Sequence, residues 1–156
     1  MHPKKVVVLR HAEKPYWEGD QRLADVGYKR ADYIAQYIPK NFGLPDWIYA
    51  TAGTKASIRP ILTVMPLMVH TTAMIDLTHM DDEAEQLGHN LVHEGHHAGQ
   101  NVVVCWHHGK IPALMKGLGL QAGEYPEQWP DNDFGSIYVV TFEKHKTAVS
   151  KFQMQF

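Results

Sequence analysis

Apolar residues fall into two kinds of run along this chain. Val6-Val7-Val8-Leu9 and Val102-Val103-Val104-Cys105-Trp106 are unbroken and rich in β-branched residues. Such runs read as short strands buried on both faces. Ala31, Ile34, Ala35 and Ile38 are instead spaced for one face of a helix. That spacing predicts a helix from about Ala24 to Ile38, ended by Pro39 and Gly43. A second strand is expected over Asp46 to Ala50. A second helix then has Ser57 as N-cap and Pro60 in its first turn, and Pro66 disturbs its end. A short strand over Ala73 to Leu77 precedes a helix from Asp81 to Val92 or Gly95. After the strand at 101–106 comes a helix from Ile111 to Leu118. The chain closes with a strand over Ser136 to Phe142, a turn at Lys144 to Lys146 and an alternating edge strand over Ala148 to Phe156. This alternation predicts one domain over residues 1–156, a three-layer α/β/α arrangement. Its sheet is mostly parallel, with an antiparallel C-terminal edge.

Composition narrows the function. A chain of 156 residues can bury a core, and its formal net charge of −2 gives no basic field for nucleic acid. Cys105 is the single cysteine, so no internal disulfide forms. No stretch approaches a membrane span, and the N-terminal apolar run is too short for a signal peptide. The expectation is a cytoplasmic protein with neither nucleic acid nor membrane as partner. The 11 histidines are many for this length.

Polar residues at the strand ends carry the chemistry. Arg10-His11 follows the first strand directly. In open α/β sheets ligands gather beyond the carboxyl ends of parallel strands; the plain alternative is a pair of solvated loop residues. Arg59 precedes Pro60, so it lies in a helical first turn, where free N–H groups suit anions. His107-His108-Gly109 ends the later strand as Arg10-His11 ends the first. Two guanidinium groups and two imidazoles match a tetrahedral dianion, with one His to attack and one to stabilise charge. That chemistry needs neither metal nor cofactor. The long loop from Gln121 to Gly135 has the length of a lid or binding loop. Tyr16, Trp17, Tyr125 and Trp129 suggest an aromatic rim, although loop packing explains them equally well.

Val8-Leu9-Arg10-His11-Ala12-Glu13-Lys14 resembles the Arg-His signature of the histidine phosphatase superfamily, the phosphoglycerate mutase-like enzymes, in the form of a small bacterial-type phosphatase branch. Ala12 stands where Gly is usual. Leu23, Gly27, Arg30 and Ala31 resemble the first-helix pattern, with Ala24 where a capping Ser or Thr is common. Ser57, Arg59 and Thr63 resemble the Ser-x-Arg-x-x-x-Thr segment, and Trp106-His107-His108-Gly109 the late strand ending in His-Gly. The resemblance implies a phosphoglycerate mutase-like fold and a nucleophilic His11 that becomes a phosphohistidine. It implies that Arg10 and Arg59 clamp the phosphoryl oxygens. His108, directly before Gly109, would be the second pocket imidazole, with His107 as the competing assignment. Lys14 is a further candidate at the site. The proton donor has no clear match; Asp81, Asp82 and Glu83 are candidates, each also readable as a helix N-terminal charge.

His93-Glu94-Gly95-His96-His97 contains the His-Glu-x-x-His pattern of zinc proteases. Gly95 inside it, Gly99 after it and the strand by Val102 make this a helix end, not the helix interior that zinc chemistry requires. His89 lies one turn upstream, and metal held incidentally by this cluster would not be the function. His2, His70, His79 and His145 read as surface or boundary residues.

The sequence thus predicts a phosphohydrolase acting on a phosphomonoester or phosphoprotein through His11, which must be neutral and open to solvent. A phosphomutase using the same pocket and a non-catalytic phospho-ligand module are the alternatives.

Overall fold

The structure, a computed structural model, describes residues 2–156. In chain order its elements are β1 (Lys5–Arg10), α1 (Asp25–Phe42), β2 (Trp47–Ala50), α2 (Arg59–Val69) and β3 (Met74–Asp76). A 3-10 turn at Asp81–Glu83 leads into α3 (Ala84–His93), followed by β4 (Asn101–Trp106). A second 3-10 turn at His108–Lys110 leads into α4 (Ile111–Gly117), then β5 (Ser136–Glu143) and β6 (Lys146–Gln153). The six strands form one sheet in the order β3-β2-β4-β1-β5-β6. The pairs β3–β2, β2–β4 and β4–β1 are parallel; β1–β5 and β5–β6 are antiparallel.

Strand alternation divides the core. Val6, Val8, Val102, Val104 and Trp106 point to the face covered by α3 and α4. Val7, Leu9, Val103 and Cys105 point to the face covered by α1 and α2. Both faces of the central strands are buried, which is why their sequences are unbroken apolar runs. Glycines let α3 and α4 come close: a Cβ built at Gly88 would lie 2.5 Å from the Leu114 carbonyl oxygen.

Local details depart from the sequence reading. Pro39 does not stop α1, which runs to Phe42; Gly43, at φ 89°, ends it and returns its N–H to the Pro39 carbonyl. A proline removes only its own N–H bond, and tertiary packing of Phe42 holds the last turn. Pro66 likewise lies inside α2. Ser57 sits one residue before the cap position, and its Oγ accepts the Arg59 N–H at 3.2 Å. Asp81 opens a 3-10 turn rather than α3 itself. The last strand begins at Lys146, earlier than predicted, and ends at Gln153. Among the described residues no helix is long and apolar enough to cross a membrane.

Candidate active site

The parallel register of β1 and β4 pairs Arg10 with Trp106, and the His11 amide extends it by donating to the Trp106 carbonyl at 3.1 Å. The next residue on each strand therefore stands beside the other. The imidazoles of His11 and His107 meet edge to face, with centroids 5.3 Å apart. The ring that meets His11 is that of His107, the competing assignment, and not that of His108. His108 is one residue further and has the opposite strand parity. It turns toward the long loop, and its Nε2 lies 2.9 Å from Asp131 Oδ1. Burial, and after it the charge of Arg10, lowers the His108 pKa.

Arg10 is 1% exposed, an unusual state for a guanidinium. Its Nη1 donates to the Asp131 carbonyl at 2.7 Å, with longer contacts to the Pro130 and Asp133 carbonyls. The guanidinium carbon stands 3.9 Å from the centroid of the Phe134 ring. Nε and Nη2 are buried and have no partner. Burial pushes the Arg10 pKa down to about 10, against the opposing pull of Asp131, Asp133 and Glu13. The long loop is thus folded onto the strand end, its far end pinned by the Asp133 carboxylate, which accepts from the Gly135 and Ser136 amides.

His11 Nδ1 lies 2.7 Å from the Ala12 carbonyl oxygen. Only a protonated Nδ1 can donate there, so the neutral ring carries its lone pair on Nε2. Burial, with Arg10, His107 and Arg59 nearby, lowers the His11 pKa to about 3 despite the Ala12 hydrogen bond. The ring is neutral at ordinary pH. It is also 2% exposed, which corrects the expectation of an imidazole open to solvent. His107 and Phe134, the latter with its centroid 6.1 Å away, flank the ring.

Supporting bonds hold this turn. The buried Thr63 hydroxyl accepts the Ala12 N–H at 2.8 Å and donates to the Arg59 carbonyl at 2.7 Å. Glu13 takes a bidentate pair from Arg30 of α1, both contacts 2.9 Å. A Cβ on Gly27 would lie 2.6 Å from the Glu13 carbonyl oxygen, so glycine there lets α1 pack against the turn. Arg59 stands in the first turn of α2 and donates to the Asp20 and Arg22 carbonyls. It ties the 14–22 loop to the site, and its charge is felt at His11 and His107.

The remaining candidates separate. Asp82 and Glu83 are exposed, and Glu83 Oε1 accepts the Met80 amide. Of these candidate carboxylates, Asp81 is the one whose charge acts on His107. Its Oδ1 is buried without a partner, and its charge opposes the burial that lowers the His107 pKa. Trp106 Nε1 places it by donating to the Asp81 carbonyl at 2.9 Å. Lys14 is exposed, near enough for its charge to act on His108. The aromatic rim reduces to Tyr16 and Trp17, 93% and 75% exposed. Trp129 is buried in the core, with Tyr125 packed against the same cluster. Asp131 and Phe134 were not singled out by sequence; only the length of their loop signals them.

The zinc-protease pattern comes apart in three dimensions. His93 ends α3 on the surface and Gly95 follows at φ 74°. His97 is buried, with Nε2 2.7 Å from the Tyr49 hydroxyl and Nδ1 3.1 Å from Gln100 Oε1.

No family model matches the sequence, and no curated protein matches it. Solved structures do share its fold. SixA from Agrobacterium tumefaciens superposes with a TM-score of 0.65 at 21% identity, over 97% of this chain and 99% of that one. The protein histidine phosphatase SixA complexed with tungstate gives 0.68 at 13% identity, covering 96% of each chain. A phosphoserine phosphatase mutant from Entamoeba histolytica, in complex with phosphoserine, gives 0.64 at 14%, again over 96% of each. The chain has the phosphoglycerate mutase-like α/β fold of these structures.

Proposed function

We propose that this chain belongs to the histidine phosphatases and is a phosphohydrolase that moves a phosphoryl group onto His11 and then to water. The observation that carries the reading is the pairing of two groups. Arg10 holds two buried, unpartnered N–H donors, and beside it His11 holds a fixed Nε2 lone pair. A buried cation with unmet donors is costly unless an anion completes it. A phosphoryl group supplies both the charge and the acceptor oxygens.

In this reading Nε2 of His11 attacks phosphorus as the bond to the leaving oxygen breaks. Arg10, Arg59 and His107 stabilise the charge on the equatorial oxygens. The proton that the leaving oxygen needs is assigned to the His107–Asp81 pair. Water then gives a proton back to that pair and attacks phosphorus, the P–N bond breaks with its electron pair returning to Nε2 of His11, and phosphate is released. His11 is 2% exposed, so the side chains around it must shift before a substrate enters. Fold neighbours described as phosphatases of phosphoserine and of protein histidine support hydrolysis over phosphomutase activity. They leave phosphomonoester and phosphoprotein substrates both open. We further propose that residues 1–156 act as one domain.

The test is turnover of p-nitrophenyl phosphate by wild-type and His11→Ala protein, together with trapping of an acid-labile phosphoenzyme. Wild-type turnover with a trapped phosphohistidine, both lost in the variant, is the expected result. Full activity in His11→Ala overturns the assignment. Phosphate binding without turnover of any monoester would make the chain a phospho-ligand module instead.

A further inference from the structure

Trp47 and Tyr49 stand two positions apart on β2, so they share the face of the sheet that α3 covers. Their rings stack, with centroids 5.9 Å apart and planes 19° from one another. Leu87 and Leu91 of α3 belong to the same core cluster as Tyr49. The helix does not close over the sheet edge, and a cavity of about 380 Å³ remains between α3 and the end of β3. That volume lies within the range of small-molecule sites, about 300–1,000 Å³. Trp47, Tyr49, Leu87 and Leu91 give the cavity an apolar lining. Asp76, which ends β3, and Glu94, just past α3, bring carboxylates to it. Among the described residues no lysine or arginine lines it, and no residue of the candidate active site does.

Hydrogen bonding sets the sign of what fits there. The buried His97 also lines the cavity, and its Nδ1 lies 3.1 Å from Gln100 Oε1. An amide oxygen only accepts, so Nδ1 carries the proton and Nε2 presents a lone pair. The Tyr49 hydroxyl, 2.7 Å from Nε2, donates its one proton there. The Tyr49 oxygen then has acceptor capacity alone. Burial, and after it the charges of Asp76 and Glu94, push the Tyr49 pKa up to about 12, so the hydroxyl keeps its proton. The Thr78 amide and hydroxyl and the His79 ring all approach Asp76 at Oδ1, and Oδ2 is unengaged among the described residues. Glu94 has the exposed His96 ring 3.5 Å away. We infer that this cavity binds a small organic ammonium ion, its N–H groups donating to the Tyr49 oxygen and the Asp76 and Glu94 carboxylates, its apolar body lying among Trp47, Leu87 and Leu91. An anion would meet two carboxylates, and a pure hydrocarbon would leave the Tyr49 oxygen unmet. The inference does not rest on the phosphohydrolase reading.

The probe is tryptamine, a primary ammonium on an aromatic body, with indole-3-propionate as an anion of similar shape. Each is titrated into the full chain at pH 8, above the range in which imidazole ordinarily titrates, and binding is read by calorimetry. Tryptamine is expected to bind, and indole-3-propionate to bind at least tenfold more weakly. Asp76→Asn and Glu94→Gln each keep the shape of the side chain and remove its charge. Each should weaken tryptamine by roughly tenfold, the loss expected for a hydrogen bond to a charged group. Tyr49→Phe removes the hydroxyl acceptor and should also weaken it, with circular dichroism checking the fold because His97 loses a partner. Glu127→Gln, at an exposed carboxylate outside the cavity, should leave binding unchanged, and saturating inorganic phosphate should not displace the amine. Absence of tryptamine binding, equal affinity for the two probes, or wild-type affinity in both Asp76→Asn and Glu94→Gln overturns the inference. So does an equal loss in Glu127→Gln or displacement by phosphate.

Discussion

The Thr63 hydroxyl lies 2.8 Å from the Ala12 amide nitrogen, and through that bond α2 fixes the turn that aims His11. The same hydroxyl donates to the carbonyl of Arg59, so one buried side chain ties together the segments carrying His11 and Arg59. Thr63→Val keeps the shape and removes both bonds. It should cost about 1–3 kcal/mol of stability by leaving the buried Ala12 N–H unpaired. Activity should fall by roughly tenfold or more as the nucleophile loses its aim. Thr63→Ser should restore most of both. Urea denaturation and p-nitrophenyl phosphate kinetics measure the two effects, and a Thr63→Val enzyme with wild-type values would remove the positioning role.

His107 and His108 are separated by kinetics. His107→Ala should lower kcat by about 10²–10⁴, the range for a group that moves protons or stabilises charge in the transition state. His108→Ala should lose less than about tenfold, because its ring is directed to the exposed Asp131. The reverse ranking would return the second imidazole to His108.

Inorganic phosphate should raise the melting temperature of wild-type protein by completing Arg10. At about one hundred times its Kd the gain is about 2.7 kcal/mol. Arg10→Met, which fills similar volume without donors, should lose this response and its turnover. A phosphate-induced shift that survives in Arg10→Met would place the anion elsewhere.

Acid should destabilise the fold through His11. Its pKa is about 3 in the native state against an ordinary 6.5 when unfolded. Between those values the unfolded chain binds the extra proton, so stability falls as pH drops from 6.5 toward 3. One such group contributes a slope of up to about 1.4 kcal/mol per pH unit. The lowered values of His107 and His108 act in the same direction. Denaturation at pH 7, 6, 5 and 4 should show a shallower decline in His11→Asn than in wild-type protein. Equal slopes would contradict a buried neutral His11.

Gly88→Ala should destabilise, against the preference of helices for alanine, which is about 1 kcal/mol. The added Cβ would meet the Leu114 carbonyl oxygen at 2.5 Å and the Leu118 nitrogen at 2.9 Å, both backbone atoms that cannot swing away. A net loss of about 1–3 kcal/mol is expected from forcing α3 off α4. A raised melting temperature would show that the two helices part freely.

Read alone, the chain determined the strands and helices at its centre and the residues at their ends. Val6-Val7-Val8-Leu9 and Val102 to Trp106 can bury both faces only inside a sheet covered by helices, and the polar residues that follow must then gather at its edge. These are local consequences of periodicity, and they bring Arg10, His11, Arg59 and the paired histidines to one region. What tertiary structure decided is lateral. The β1–β4 register, a property of two strands 96 residues apart, set His107 rather than His108 against His11. The Trp106 indole reaches the Asp81 carbonyl, while Asp82 and Glu83 lie exposed. The fold of the 121–135 loop buried Trp129 and laid Phe134 on Arg10. Periodicity reports which side of its own element a residue occupies. It carries no information on which residue of another element stands opposite, and the chemistry of the site depends on that pairing.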